Sequence, residues 1–277
     1  MIERAFVTIA EGQVHLRQLA DPKSIRPPLF LLHASPSSSR WMQGLMTELA
    51  GQGRTVIAPD TLGNGDSPVP FGAQPDIAYF ADSVVRLADA MGIDRFDVYG
   101  THTGARIACE LAAAYPMRVR AAIFDGIKEY DENTREKILA HYAPHVEPDE
   151  HGAYLVWAFH FVRDQSLYFP HFDKIPANRL PNDPPPPRIL HDAVIDVLKA
   201  LDTYPLPYFA AFRYRSLSRM PLIEGPVLLL RSDKELAVLN AAIDEAVAQL
   251  RHPTVVAVPS DPRAKAAAIT AFLNAAE

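Results

Sequence analysis

Between a short apolar run and an alanine-rich stretch, the chain reads Phe96-Asp97-Val98-Tyr99-Gly100-Thr101-His102-Thr103-Gly104-Ala105-Arg106-Ile107-Ala108. The glycines at 100 and 104 allow the backbone to reverse sharply from strand to helix, because neither brings a Cβ into the turn. The side chain between them, His102, is then held out at the top of a sheet. Such a frame requires a sheet ahead of the turn and a packed helix behind it, and the rest of the sequence is patterned to supply both.

Strand-like runs alternate with helix-like runs over the first half. Residues 4–8 and 14–18 flank a Glu11-Gly12 turn and read as a hairpin. Residues 28–32, 55–58, 96–99 and 120–124 are short apolar runs of the buried-strand type, separated by helical spacing over 37–50, 76–91 (with Asp76 as its cap) and 103–115. From 127 to 220 the alternation stops, and aromatics, histidines and prolines crowd the sequence. It resumes with strands at 226–230 and 254–258 around a helix at 237–250, and a final helix closes the chain. Strands alternating with helices predict a mainly parallel sheet covered on both faces. The middle stretch is too long for a plain loop and predicts an inserted helical cap over 127–220, leaving 1–126 and 221–277 as the core.

Among 277 residues, 48% are apolar, ample for a large core. No segment approaches the unbroken apolar length of a membrane span, and residues 1–12 carry Glu3, Arg4 and Glu11 without an apolar leader core. A net charge of -6 speaks against a nucleic-acid partner. Cys109 is the only cysteine, which excludes an intrachain disulfide and a cysteine-based zinc site and makes the cytoplasm the default location.

Further motifs accompany the elbow in a fixed order: His33-Ala34-Ser35-Pro36, then Ala58-Pro59-Asp60 with Gly63-Asn64-Gly65-Asp66-Ser67, and finally Pro226-Val227-Leu228-Leu229-Leu230-Arg231-Ser232-Asp233-Lys234-Glu235. Together they resemble the α/β-hydrolase superfamily over almost the whole chain. Within it they are most similar to the cap-bearing subgroup of haloalkane dehalogenases, epoxide hydrolases and carbon–carbon bond hydrolases. The resemblance implies an α/β fold with an eight-stranded, mostly parallel sheet, an inserted helical cap, and an active site between the two.

The chain departs from that family at the chemistry. Position 102 would carry a serine, cysteine or aspartate nucleophile, and here it is histidine. The family's catalytic histidine follows the last strand, but here Val258-Pro259-Ser260-Asp261-Pro262 runs directly into the final helix. His252 lies at the wrong end of that strand, roughly 20 Å from the carboxyl edge where such sites form. His102 is therefore read as the base itself. Two carboxylates compete to partner it: Asp125, which ends the sixth strand, and Glu235, which follows the seventh. In the family strand order the sixth strand lies about 4.8 Å from the fifth and the seventh roughly 9.6 Å, so spacing favours Asp125 and puts Glu235 second.

Ser35 and Thr103 take the two family positions whose backbone N–H groups form an oxyanion hole, an assignment indifferent to side chain. His33 and Asp60 follow patterns in which the side chain braces loops. In the cap, Trp157, Phe159, His160, Phe161, Arg163, Tyr168 and Phe169 are expected to form cap core on one side and pocket wall on the other. We assign Trp157, His160, Phe161 and Tyr168, together with His33, to the pocket. The cap histidines match no compact metal motif, and Pro144 interrupts the His141/His145 pair, so no metal is expected. Gly63-x-Gly65 lacks the third glycine of a dinucleotide fingerprint, so no cofactor is expected either.

The expectation is a hydrolase-like, cofactor-independent enzyme acting on a small, apolar carbonyl, ester or lactone-type substrate. His102 would be the general base, and Asp125 or Glu235 its acid partner. The same base would also serve a cofactor-free lyase, isomerase or oxygenase, and the same cavity a small-molecule-binding pseudoenzyme. The partner is a small molecule, with neither nucleic acid nor membrane, and the sequence leaves room for a homodimer.

Overall fold

The inner apolar runs form strands because they are buried on both faces of one sheet, whereas the last run is an edge strand left partly exposed. In the computed structural model, which describes residues 1–276, β1 (Glu3–Ile9) and β2 (Gly12–Leu19) make an antiparallel hairpin. Next come β3 (Leu29–Leu32), β4 (Val56–Pro59), β5 (Phe96–Thr101), β6 (Val119–Asp125), β7 (Val227–Ser232) and β8 (Pro253–Val258). The eight strands are ordered β1-β2-β4-β3-β5-β6-β7-β8, and every pairing from β4 onward is parallel. The elbow strand β5 is thus central.

Side chains alternate across a strand, and the two faces collect different partners. Leu29, Leu31, Tyr99, Ile123 and Leu228 pack with α1 (Gln43–Glu48) and α11 (Pro262–Ala275). Phe30, Leu32, Val98 and Phe124 pack with α2 (Ile77–Ala90) and α3 (Thr103–Ala114). Asp76 caps α2 by accepting from Tyr79 N at 2.8 Å. In α3 every residue but Ala114 is buried, which small side chains permit where a helix lies flat on the sheet.

Between β6 and β7 lie α4 (Glu132–His141), α5 (Ala153–Leu167), α6 (Pro187–Lys199), α7 (Pro205–Arg213) and α8 (Ser216–Arg219). Among the described residues this interval adds no strand to the sheet, only an isolated bridge between Tyr168 and Arg179. Its helices share a cluster around Tyr142, Phe161, Tyr204 and Tyr208, while Ala210, Ala211 and Met220 join the main core. The helix expected over 237–250 is divided into α9 (Ala237–Ala241) and α10 (Ile243–Val247). At the break Ala242 N tightens onto Leu239 O at 3.2 Å, and Asn240 is tied to Ser232 O at 2.8 Å. No helix among the described residues is long and apolar enough to cross a membrane.

Candidate active site

His102 sits at φ 50° and ψ -105°, the one non-glycine residue at positive φ among the described residues. Such a conformation costs on the order of 1–3 kcal/mol and persists only where the surroundings enforce it. The enforcement is steric. A Cβ on Gly100 would lie 2.0 Å from Gly104 O, and one on Gly104 would lie 2.1 Å from Leu32 O. His102 N donates to Asp125 O at 3.0 Å, and His102 O accepts from Ala105 N at 3.1 Å. Although His102 is the N-cap of α3, its ring makes no capping bond and is free for another partner.

That partner is Glu235, whose Oε2 lies 3.1 Å from His102 Nε2. After β7 ends, a turn closed by Glu235 N donating to Ser232 O at 3.2 Å folds the chain back over the strand ends. Gly126 forms the floor beneath the pair, since a Cβ there would stand 2.9 Å from Glu235 Oε2 and 3.4 Å from His102 Nε2. Leu236 N donates to Glu235 Oε1 at 2.7 Å, fixing the carboxylate's other oxygen. Burial pulls the imidazole pKa down, but the charge and hydrogen bond of Glu235, helped by the charge of Asp125, outweigh it and raise the value above the ordinary one. Burial pushes the Glu235 carboxyl up, but His102 and the Leu236 N–H hold it below its ordinary value.

Asp125, the favoured partner from strand spacing, is not bonded to the imidazole. It stands in register with Thr101, and its carboxylate lies among groups of the α1/α11 face. Tyr99 Oη donates to its Oδ2 at 2.6 Å, Lys265 Nζ reaches the same oxygen at 2.5 Å, and Ser232 Oγ lies 3.4 Å from Oδ1. Burial, followed by the Asp125 charge, raises the Tyr99 pKa well above its usual value, so the phenol keeps its proton and donates. Tyr99, Asp125 and Lys265 line a separate cavity of about 700 Å³ with Trp41 and Ile189, beside the short connection from β8 to α11. Interstrand spacing does not decide the partner, because the pleat sends the Asp125 side chain to the face of Ala121 and Ile123, whereas Glu235 lies beyond the end of β7.

His102 lines a different cavity, of about 320 Å³, together with Ser35, Thr103 and Arg106. The main-chain N–H groups of Ser35 and Thr103 have no acceptor among the described residues, and Ser35 Oγ is buried without a partner. The aromatic wall comes from Tyr130, Tyr142, Phe169, Tyr208 and Phe212. The residues assigned to the pocket from sequence lie elsewhere. His33 is buried between loops, with Thr61 N donating to its Nε2 at 3.0 Å and its Nδ1 bonding Ala34 O at 2.7 Å. Trp157 stacks on Phe161 at 4.8 Å inside the helical cluster, His160 is exposed, and Tyr168 packs under Arg179. Helix α5 is apolar nearly all round, so its periodicity marks no pocket face; Gln165 and Ser166, near its end, are the ones that reach the cavity.

One group of side chains has metal-like geometry: His15, Asp60 and Asp66, with ligand atoms within 4.8 Å of one another. Cations of the protein already occupy it. Arg4 Nε donates to His15 Nε2 at 2.9 Å, so Nδ1 carries the proton given to Asp60 at 2.8 Å, and Asp66 holds both Arg4 and Lys199. Asp60 also accepts from Ser39 N at 2.7 Å and Asp66 N at 2.9 Å, the role of a loop brace. Sequence reasoning missed Arg106 and, apart from Phe169, the aromatic wall. An arginine within the otherwise small and apolar start of α3 was the available signal for the first.

The family described as an alpha/beta hydrolase fold matches residues 27–260. The 2-hydroxymuconate semialdehyde hydrolase of Pseudomonas sp. (strain CF600) is 39% identical over 102 residues, 36% of this chain and 36% of that protein, so the match spans little more than a third of the relative. Epoxide hydrolase A from Mycobacterium thermoresistibile aligns with a TM-score of 0.73 over 99% of this chain and 98% of that one, at 18% identity. Haloalkane dehalogenase DatA from Agrobacterium tumefaciens C58 aligns at 0.72 over 100% and 97%, at 19% identity. At these identities the solved structures establish a shared fold.

Proposed function

The chain belongs to the alpha/beta hydrolase fold family, and from that premise we propose a cofactor-independent hydrolase for a small carbonyl, ester or lactone-type molecule, with His102 as general base. The observation that carries this reading is the pairing of His102 Nε2 with Glu235 at the edge of a cavity, while Nδ1 has no partner among the described residues. With Glu235 ionised, Nε2 holds the ring proton and Nδ1 presents a lone pair. Glu235 is then the positioning residue, and its carboxylate stabilises the imidazolium that forms.

In this mechanism a water oxygen gives its proton to Nδ1 and adds to the carbonyl carbon. The oxyanion that develops is met by the N–H groups of Ser35 and Thr103, donors that need no reorganisation. Collapse of the tetrahedral species expels the leaving group, which takes the proton back from the imidazolium. Base catalysis is preferred to attack by the imidazole itself, because no second histidine and no carboxylate lines the cavity among the described residues to activate water for turnover. The helices between β6 and β7 serve as the cap that walls the substrate in.

A panel of p-nitrophenyl esters followed by rapid mixing tests this reading. The expected trace is linear from the start, and its rate rises with pH through one ionisation above the ordinary imidazole value of about 6.5. A stoichiometric burst of nitrophenol, or a rate indifferent to that ionisation, overturns it.

A further inference from the structure

Arg106 stands in α3 one helical turn after His102 and is only 5% exposed. Its Nη1 donates to His102 O at 3.1 Å and its Nη2 to Lys128 O at 2.6 Å, both neutral main-chain carbonyls. A guanidinium has five N–H donors, and no carboxylate lies within ion-pair distance of this one among the described residues. Acids of the neighbouring segments are engaged elsewhere. Glu110 holds Arg219 at 2.8 Å, Glu129 holds Arg215 at 3.3 Å, and Glu235 holds His102 at 3.1 Å. Burial pushes the Arg106 pKa down, and the groups opposing that fall are Tyr130, Cys109, Tyr214 and Tyr142, none of them charged at neutral pH.

A cation taken out of water without a counter-charge is costly, and the cost is relieved when an anion reaches it. Arg106 opens onto the same cavity as His102, and among the described residues no lysine or other arginine lines that cavity. The remaining walls are aromatic and aliphatic, with Gln165, Ser166 and Asn182 as polar additions. We propose that Arg106 is an anion-binding residue, and that the molecule entering the His102 cavity carries one carboxylate on an aromatic or otherwise apolar body. A single guanidinium balances one negative charge, and its planar fork matches a carboxylate; a phosphate dianion would call for a second cation. This inference rests on the reading of the cavity as the substrate site and names the substrate class for it.

Binding of benzoate and of benzamide, equal in shape and different in charge, tests it by calorimetry on the whole protein. Wild type should bind benzoate about tenfold or more tightly than benzamide, the size of one charge-assisted contact. Arg106→Gln should abolish the preference, and Arg106→Lys should keep a reduced one, because the charge remains while the fork is lost. His102→Gln should retain the preference, which separates this inference from the assignment of the base. Benzoate binding wild type no better than benzamide, including no binding of either at millimolar concentration, overturns the proposal without reliance on any variant's folding. So does a preference that survives in folded Arg106→Gln. A fully active His102→Ala would sink the base assignment and leave this result standing.

Discussion

Asp125 and Glu235 are the two carboxylates nearest the elbow, and they work on different sides of it. Asp125 ends β6, hydrogen-bonded through its own backbone to His102 N, yet its carboxylate is held by Tyr99 and Lys265. Glu235 starts from a strand one position farther away and still reaches the imidazole. Within a strand, a side chain's face is fixed by the alternation of the pleat, and no proximity of backbones changes it. Beyond the strand's end that rule lapses, and a turn can carry a side chain back across a neighbour. The nearer acid is therefore bonded to Tyr99 and Lys265, and the farther one is the acid that reaches the imidazole.

That contrast predicts unequal consequences. The largest belongs to the group for which the two acids compete: His102→Ala should lower the ester-hydrolysis rate by on the order of 10²–10⁴, the range of a lost general base. Full activity in that variant would leave neither acid with a catalytic partner. The next effect falls on stability and on Asp125. Lys265→Met leaves a carboxylate that is 1% exposed with only neutral donors, and urea unfolding should show a loss of about 3 kcal/mol with little change in rate. If Lys265→Met instead slowed hydrolysis as much as a change at Glu235, Asp125 would have to be reinstated as the working acid.

The sheet and the elbow were legible in sequence because both are local. Apolar runs such as Leu29–Leu32 mark buried strands, and Gly100 and Gly104 announce a turn that no larger residue could make. Ser35 and Thr103 come from equally local motifs, and both line the His102 cavity. What sequence did not reveal depends on rotation and register. The pleat puts Asp125 on the face of Ala121 and Ile123, but the groups that meet its carboxylate there, Tyr99 and Lys265, come from other elements that the strand's own pattern does not encode. The cavity face of α5 could not be told from its core face when Leu155, Val156, Trp157, Phe159 and Phe161 are all apolar. Trp157 and Phe161 went to the helical cluster, and Gln165 to the cavity.

Glu235→Gln sharpens the comparison by keeping shape and removing charge. Rate should fall on the order of tenfold, the worth of one hydrogen bond to a charged group. The pH profile is the more telling measurement. In the variant, burial and the Arg106 charge still lower the imidazole pKa while its principal raising partner is gone, so the midpoint should move to lower pH. Stability follows the same sign. The raised His102 pKa contributes below the ordinary imidazole value and is lost as pH climbs through the raised one; the depressed Glu235 pKa contributes above the ordinary carboxylate value and is lost on acidification. Wild type should therefore exceed Glu235→Gln in stability most between these limits, above roughly pH 4.3 and below the raised imidazole value. An unmoved midpoint would mean that the contact does not persist in solution.

The smallest effect expected is at Ser35, and its smallness is the informative part. The oxyanion contact proposed for this residue would be made by its main-chain N–H, and its Oγ is buried without a hydrogen-bond partner. Ser35→Ala removes an unsatisfied hydroxyl and leaves the donor in place, so the hydrolysis rate should stay within about twofold, with stability unchanged or slightly raised. A large loss would place the hydroxyl itself against the substrate, and the serine would then belong with His102 and Glu235 in the chemistry rather than in the backbone that frames it.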